Sequence, residues 1–284
     1  MMKIRELLMH GVFFIAACAS ILSVALICLF LFANGIPTIG EIGPLKFLLG
    51  TEWRPGNNIF GILPMILSSI YVTAGAIIVG VPVGILTAIY MARFCPPRIY
   101  KIMKPAVELL AGIPSVVYGF FGLVVLVPLI RNIFNLVDGQ TMLTASLLLG
   151  MMILPTIINV SESSIRAVPQ SYYEGGLALG ASHERSVFFA VLPGCKSGIL
   201  SAVILGVGRA IGETMAVIMV AGNQPRMPKG LLAGLRTMTS NIVIEMGYAA
   251  DLHRQALIAT GVVLFVFILL INLSFSALKR RADA

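Results

Sequence analysis

Apolar residues fall in six long runs separated by polar stretches: Gly11–Ala33, Gly61–Met91, Pro105–Ile130, Thr141–Ile165, Lys196–Ala221 and Gln255–Leu278. Each exceeds the roughly 20 residues that a helix needs to cross the hydrocarbon of a bilayer, so helices rather than a barrel are expected. The first run is too long for a secretory h-region and ends without a small-residue cleavage site, so it reads as an uncleaved helix. The pattern predicts an all-α integral membrane protein with six transmembrane helices in one domain, residues 1–284. External loops are expected at 34–60, 131–140 and 222–254, and a polar cytoplasmic loop at 166–195.

The cations set the orientation. Lys3 and Arg5, Arg93 to Lys104, Arg166 to Lys196, and Lys279 to Arg281 all fall on one side if both termini are cytoplasmic, and they outnumber the cations opposite. The positive-inside rule therefore favours an even number of spans with both ends inside. Of 284 residues 58% are hydrophobic and 11% charged, against about a quarter charged in a soluble domain. The net charge of +8 then reads as basic ends near lipid headgroups, not as a nucleic-acid surface, which would cluster cations with aromatics. Cys18 and Cys28 lie about 15 Å apart along one helix, beyond disulfide reach, and Cys95 and Cys195 fall on the reducing side, so all four read as packing residues. His10, His183 and His253 lack metal-site spacing, and no metal site is expected.

Arg209 and Glu213 interrupt the fifth run, four residues apart near its middle. Charged side chains cost about 2.5 to 3.5 kcal/mol at the centre of a span, so they line a pathway or pair inside a bundle. A purely structural ion pair is the plainer alternative. Arginine offers paired N–H groups that match two oxygens of an oxyanion. A carboxylate at Glu213 would accept a hydrogen bond from a P–OH, which fully deprotonated sulfate lacks, or hold Arg209 ready. Gly208 and Gly212 bracket Arg209 with the spacing of closely packed membrane helices, and Gly80 and Gly84 repeat it in the second run; packing within the chain and contact with another subunit are equally compatible. Pro64, Pro82, Pro114 and Pro155 would bend or break four spans. Glu162 with Arg166, and Glu108 with Lys104, read as structural pairs.

The loop after the fourth run is too long for a simple turn. Pro169 can open a helix that carries Tyr173, Glu174 and Leu177 and stops at Gly180 in a left-handed conformation. Ser182 can cap a second short helix through Val191. Tyr173, Leu177, Val187, Phe188 and Val191 would then be available for docking, either in a groove of a partner protein or on the lipid surface.

Glu174-Gly175-Gly176, followed by Gly180 and Leu192-Pro193, resembles the cytoplasmic loop of ABC importer permeases. Gly175 and Gly176 stand where that pattern has alanines, and Ala190 where it has isoleucine; the glycines would soften the first loop helix. Phe47-Leu48-Leu49-Gly50-Thr51-Glu52-Trp53-Arg54-Pro55, Glu108 to Gly119, Gly208 to Ala216, and Thr239 to Tyr248 are similar to signatures of phosphate-uptake permeases of the PstC type. That resemblance implies a type I ABC importer permease fold with cytoplasmic coupling helices, in the bacterial inner membrane. It also implies import of phosphate by alternating access. The expected partners are a PstA-type second permease, a PstB-type ATPase dimer that binds ATP and magnesium, and a PstS-type phosphate-binding protein. The chain has no Walker A sequence and no Ser and His pair at compatible depth, so neither an ATPase nor an intramembrane protease is expected of it. Arg209, Glu213, Ser115 and Thr214 are the candidate substrate contacts, and Glu174, Gly180, Tyr173 and Leu177 the candidate ATPase contacts. A permease for molybdate or sulfate, a passive channel and a membrane scaffold are the alternatives.

Overall fold

The computed structural model describes residues 2–283, and its regular structure is almost entirely helical. The side chains of Lys3, Arg5, Lys279, Arg280 and Arg281, used above for orientation, lie outside the described residues. Helix α1 (Met2–Ile42) leads through α2 (Pro44–Leu49) into a short antiparallel hairpin, β1 (Trp53–Arg54) with β2 (Ile59–Phe60). Then come α3 (Leu63–Ile89), α4 (Pro97–Gly112), α5 (Ser115–Phe121), α6 (Val127–Ile133) and α7 (Met142–Ala167). The polar loop holds α8 (Gln170–Ala178), α9 (His183–Ser186) and α10 (Leu192–Gly194), and the chain continues through α11 (Lys196–Gly212), α12 (Met215–Val220), α13 (Met238–Met246) and α14 (Asp251–Asp283). Single π-helical turns extend α3 over Tyr90–Phe94, join α5 to α6 over Gly122–Leu126, and join α9 to α10 over Val187–Val191.

Among the described residues five segments are long and apolar enough to cross a membrane: Met9–Ile42, Leu63–Phe94, Ser115–Ile133, Met142–Ala167 and Asp251–Ala277. A sixth is reached only by joining His183–Gly194 to Lys196–Gly212, which meet at 71°. Two of the six predicted runs therefore do not form single helices. Pro105–Ile130 is cut at Ile113-Pro114, because the residue before a proline is pushed out of the helical region; Ile113 has ψ 126°. Tyr118 Oη bridges the cut by donating to the Leu110 carbonyl at 2.8 Å. Lys196–Ala221 is cut at Glu213-Thr214, where Glu213 adopts ψ 130°. Of the four prolines expected to bend or break spans, Pro114 marks a break, Pro64 sits in the first turn of α3, and Pro82 and Pro155 lie inside α3 and α7. The external stretches are more ordered than their polarity suggests: α1 runs on to Ile42, and 222–254 contains α13 and the start of α14.

The centre of the molecule is α7 packed against α3 and α11, and small residues set the spacing. A Cβ on Gly80 would meet the Gly150 carbonyl and Ile153 at 2.8 Å, and one on Gly84 would meet Ile157 at 2.8 Å. Gly206 faces Ile157 and Gly198 faces Ser164 in the same way across the α7–α11 contact. Helix α1 stands outside this core and leans on α14, where Gly35 lies against Ala259 and Val262 and Phe32 meets Phe265 edge-on at 5.6 Å. Most of its other side chains from Met9 to Phe30 are exposed.

The two glycine pairs therefore differ. Gly80 and Gly84 pack inside the chain, whereas a Cβ on Gly208 or Gly212 would meet nothing within 4 Å. Gly80→Leu is expected to destabilise the chain by at least about 1 to 3 kcal/mol through overpacking. Gly208→Ala, inside α11 with open space for its Cβ, should leave the isolated, detergent-solubilised chain as stable as before or more stable by up to about 1 kcal/mol, and thermal unfolding of the two variants checks the contrast.

Candidate functional site

Arg209 lies in the last turn of α11 and Glu213 just beyond it, so the break separates two residues that the sequence suggested share one helix face. Among the described residues no ion pair joins them. The Arg209 guanidinium donates to Thr156 Oγ1 of α7 at 3.1 Å. Glu213 turns toward α12 instead, where its Oε1 accepts from the Ala216 backbone N–H at 3.2 Å. That carboxylate satisfies one of the donors that the first turn of a helix leaves free. The Glu213 carbonyl, outside the regular ladder, accepts from Thr239 Oγ1 at 3.3 Å. The expectation that Glu213 holds Arg209 is thus corrected: helix termination gave the carboxylate a nearer partner.

Ser115 is the first residue of α5 and Thr214 immediately precedes α12, each next to a break, and both are half-buried. The two helices they open, α5 and α12, pack together because Gly119 admits Ala216 and Met219, and Gly122 admits Val220. Thr214 Oγ1 donates to the Gly212 carbonyl at 3.2 Å. Glu213 borders a void of ≈ 10 Å3 shared with Ser69, Thr73 and Thr237, about the space of one water rather than an oxyanion. Arg209 is half-buried beside the open face of Gly208 and Gly212. A planar cation next to an uncovered small-residue face can meet a ligand or a second chain; it does not enclose a ligand by itself.

In the polar loop, Pro169 precedes α8, Gly180 takes φ +82°, and Ser182 Oγ caps α9 by accepting from the Arg185 N–H at 3.3 Å. Glu174 and Leu177 are exposed. Tyr173 is half-buried, and its hydroxyl pairs with His183 Nδ1 at 2.8 Å, with the imidazole edge-on to Phe94 at 4.7 Å. Val187 and Val191 are fully buried against Ala88 and Ile165, so they anchor the loop to the bundle and are not available for docking, a correction to the expected surface. Their period drew them to one face, and that face turned inward. The glycine at 176 also has a local reason: a Cβ there would meet Ser186 Oγ at 2.7 Å, whereas Gly175 faces open space.

Two charged clusters had no full counterpart in the sequence reading. On one side Glu162 is buried and accepts from Tyr100 Oη at 2.7 Å, Lys104 Nζ at 2.9 Å and Arg166 Nε at 2.7 Å. Arg166 also donates to the Met91 carbonyl at 2.9 Å and lies 4.5 Å over the Tyr100 ring. Glu162 with Arg166 is the structural pair expected, but Lys104 serves Glu162 at 2.9 Å more closely than Glu108 at 3.8 Å. On the other side Glu245 accepts from Trp53 Nε1 at 2.8 Å, meets His253 Nε2 at 2.8 Å, and pairs with Arg236. Arg236 further donates to the Asn223 carbonyl at 2.9 Å and to Asn241 Oδ1 at 3.0 Å. Trp53 and Glu245 lie 192 positions apart, which is why spacing alone left the cluster unlinked. Among the described residues no group of three or more His, Cys, Asp or Glu is placed to hold a metal ion.

Residues 80–284 match the model of the binding-protein-dependent transport system inner membrane component. The chain is 36% identical to a Bacillus subtilis protein named "Probable ABC transporter permease protein YqgH", over 93% of this chain and 89% of that one. It is 34% identical to the phosphate transport system permease protein PstC of Mesorhizobium japonicum, over 89% and 84%, and 33% identical to PstC of Haemophilus influenzae, over 78% and 76%. The fold is shared with a bacterial ABC transporter involved in the import of the acidic polysaccharide alginate, at TM-score 0.60 and 15% identity over 93% of this chain and 95% of that one. An inward-facing MetNI methionine ABC transporter gives TM-score 0.59 at 18% identity, over 78% and 94%. The chain belongs to the family of binding-protein-dependent transport system inner membrane components, the permease subunits of ABC transporters. Within that family it is a PstC-type permease.

Glu245→Ala is expected to cost about 3 to 5 kcal/mol, because it strands Arg236 in a site where the two side chains are 12% and 7% exposed. Thermal unfolding of the variant beside Arg236→Gln/Glu245→Gln checks this, and the double variant should recover part of the loss. Gly176→Ala should perturb the loop through its clash with Ser186, and Gly176→Ala/Ser186→Ala should relieve it. Limited proteolysis between α8 and α9 reads both.

Proposed function

We propose that this chain is the permease subunit of an ATP-driven importer of inorganic phosphate, multi-pass in the bacterial cytoplasmic membrane with both termini inside. The support is the pairing of its PstC kinship with Arg209, a guanidinium held by Thr156 beside a helix break and an uncovered glycine face. In this reading Arg209 contacts two phosphate oxygens, and the low dielectric of the path strengthens that contact. Glu213 shapes the break and offers its carboxylate to the P–OH. Ser115 and Thr214 donate hydroxyls at the starts of α5 and α12. The open face at Gly208 and Gly212 receives a PstA-type second permease, which supplies the rest of the site.

The drive comes from outside the chain. Glu174, Leu177 and Gly180 meet a PstB-type ATPase dimer, which binds ATP and magnesium, while Tyr173 braces the loop through His183. A PstS-type protein delivers phosphate on the external side. Access alternates as the ATPase opens and closes, and α8 to α10 carry that motion into the core through Val187 and Val191. Since the loop is anchored to α3 and α7 by buried apolar contacts, it moves with the core rather than independently of it.

Membrane vesicles containing the complete complex should take up phosphate only with ATP, with no competition from sulfate. Arg209→Ala should assemble with its partners yet lose most of the uptake, on the order of 10²-fold if about 3 kcal/mol of contact is removed, with Arg209→Lys intermediate. An assembled Arg209→Ala complex that transports at the wild-type rate sinks the site, and competition by sulfate or molybdate moves the substrate to another oxyanion.

A further inference from the structure

The elbow between the polar loop and α11 leaves an apolar depression at the surface. Where His183–Gly194 meets Lys196–Gly212 at 71° there is an open groove of ≈ 440 Å3. Its walls include Ile85 of α3, Phe188 and Leu192 of the loop, and Leu200 and Val203 of α11, with the exposed Lys196 contributing its only formal charge. No acidic residue lines it.

Three features limit what can fill it. Lys196, Leu200, Val203 and Val207 follow the four, three, four spacing of one helix face, and Val207 is 2% exposed, so the groove runs about 10 Å along α11 before the face is covered. Gly208 is five residues past Val203 and therefore about 140° around the helix, so the groove is not on the open glycine face given above to a second permease. Lys196 is the first residue of α11, which puts its ammonium at the edge of the membrane, while the apolar walls lead inward along the span.

We infer that this elbow binds an anionic phospholipid, with an acyl chain along Leu200 and Val203 and the headgroup phosphate on Lys196. A cation at the mouth, apolar walls behind it and no carboxylate match that chemistry and disfavour a zwitterionic lipid or an acidic peptide. Because Phe188 and Leu192 belong to the loop and Ile85 to α3, a seated lipid ties the loop to two spans and fixes the angle of the elbow. The inference rests on the membrane reading of α11 and not on the identity of the substrate.

The test counts bound lipid on the intact, delipidated complex by native mass spectrometry after addition of phosphatidylglycerol or phosphatidylcholine. Wild type should retain phosphatidylglycerol preferentially. Lys196→Ala, at an exposed position, should weaken that retention about fivefold, the effect of one cation near an anionic lipid surface, and Val203→Trp should abolish it by filling the groove. Equal retention of the two lipids overturns the inference, as does equal phosphatidylglycerol binding by wild type and Lys196→Ala. So does crosslinking of a Leu200→Cys chain to a partner subunit, which would mean that protein covers the elbow. Phosphate uptake does not enter these measurements, so the substrate assignment and the lipid site stand or fall separately.

Discussion

A backbone inside a membrane has no water to satisfy its polar groups, so any interruption of a helix there must be answered by the protein itself. This chain interrupts two of its long apolar runs and answers both from within. Tyr118 reaches back to Leu110 across the Pro114 break. At the other break Glu213 serves Ala216 with its carboxylate, and Thr239 serves the Glu213 carbonyl. Those few contacts hold α5 to the end of α4, α12 to Glu213, and α13 to the Glu213 carbonyl. They let a cation, Arg209, sit in the last turn of a helix beside a break instead of in the middle of a closed cylinder.

Around this interrupted region the rest of the molecule is made stiff. Glycines at 80, 84, 198 and 206 bring α3 and α11 onto α7 at distances that leave no room for a side chain. At the two ends of the bundle, buried glutamates gather distant segments: Glu162 ties α4 to α7, and Glu245 ties α13 to the hairpin, to α14 and to the irregular segment that precedes α13. Each carboxylate has several partners, which is the condition under which the desolvation penalty of a buried charge is offset.

The loop is joined to that core in the same manner. Val187 and Val191, four residues apart on one face of the π turn, are inserted among Ala88 and Ile165. What remains exposed is the edge with Glu174, Leu177 and Leu179. One side of the same short segment therefore holds to the bundle and the other is free for a partner.

Much was legible in the sequence because it follows from local rules. Apolar run length gave membrane helices, Gly180 and Ser182 gave the loop its stop and its cap, and the Glu162 pair followed from helical spacing. The residue types at 209 and 213 marked the unusual region without its geometry. Only the tertiary structure decided that the fifth run breaks at Glu213, because the break depends on Thr239 and on packing of α12 against Gly119, neither of which lies within reach of a local pattern. It also decided that Gly80 packs inside while Gly208 stays open, and that Trp53, Arg236, Glu245 and His253 form one cluster. Spacing fixes which residues share a helix face; which faces meet is set by the packing of whole helices, and that information is spread over the chain.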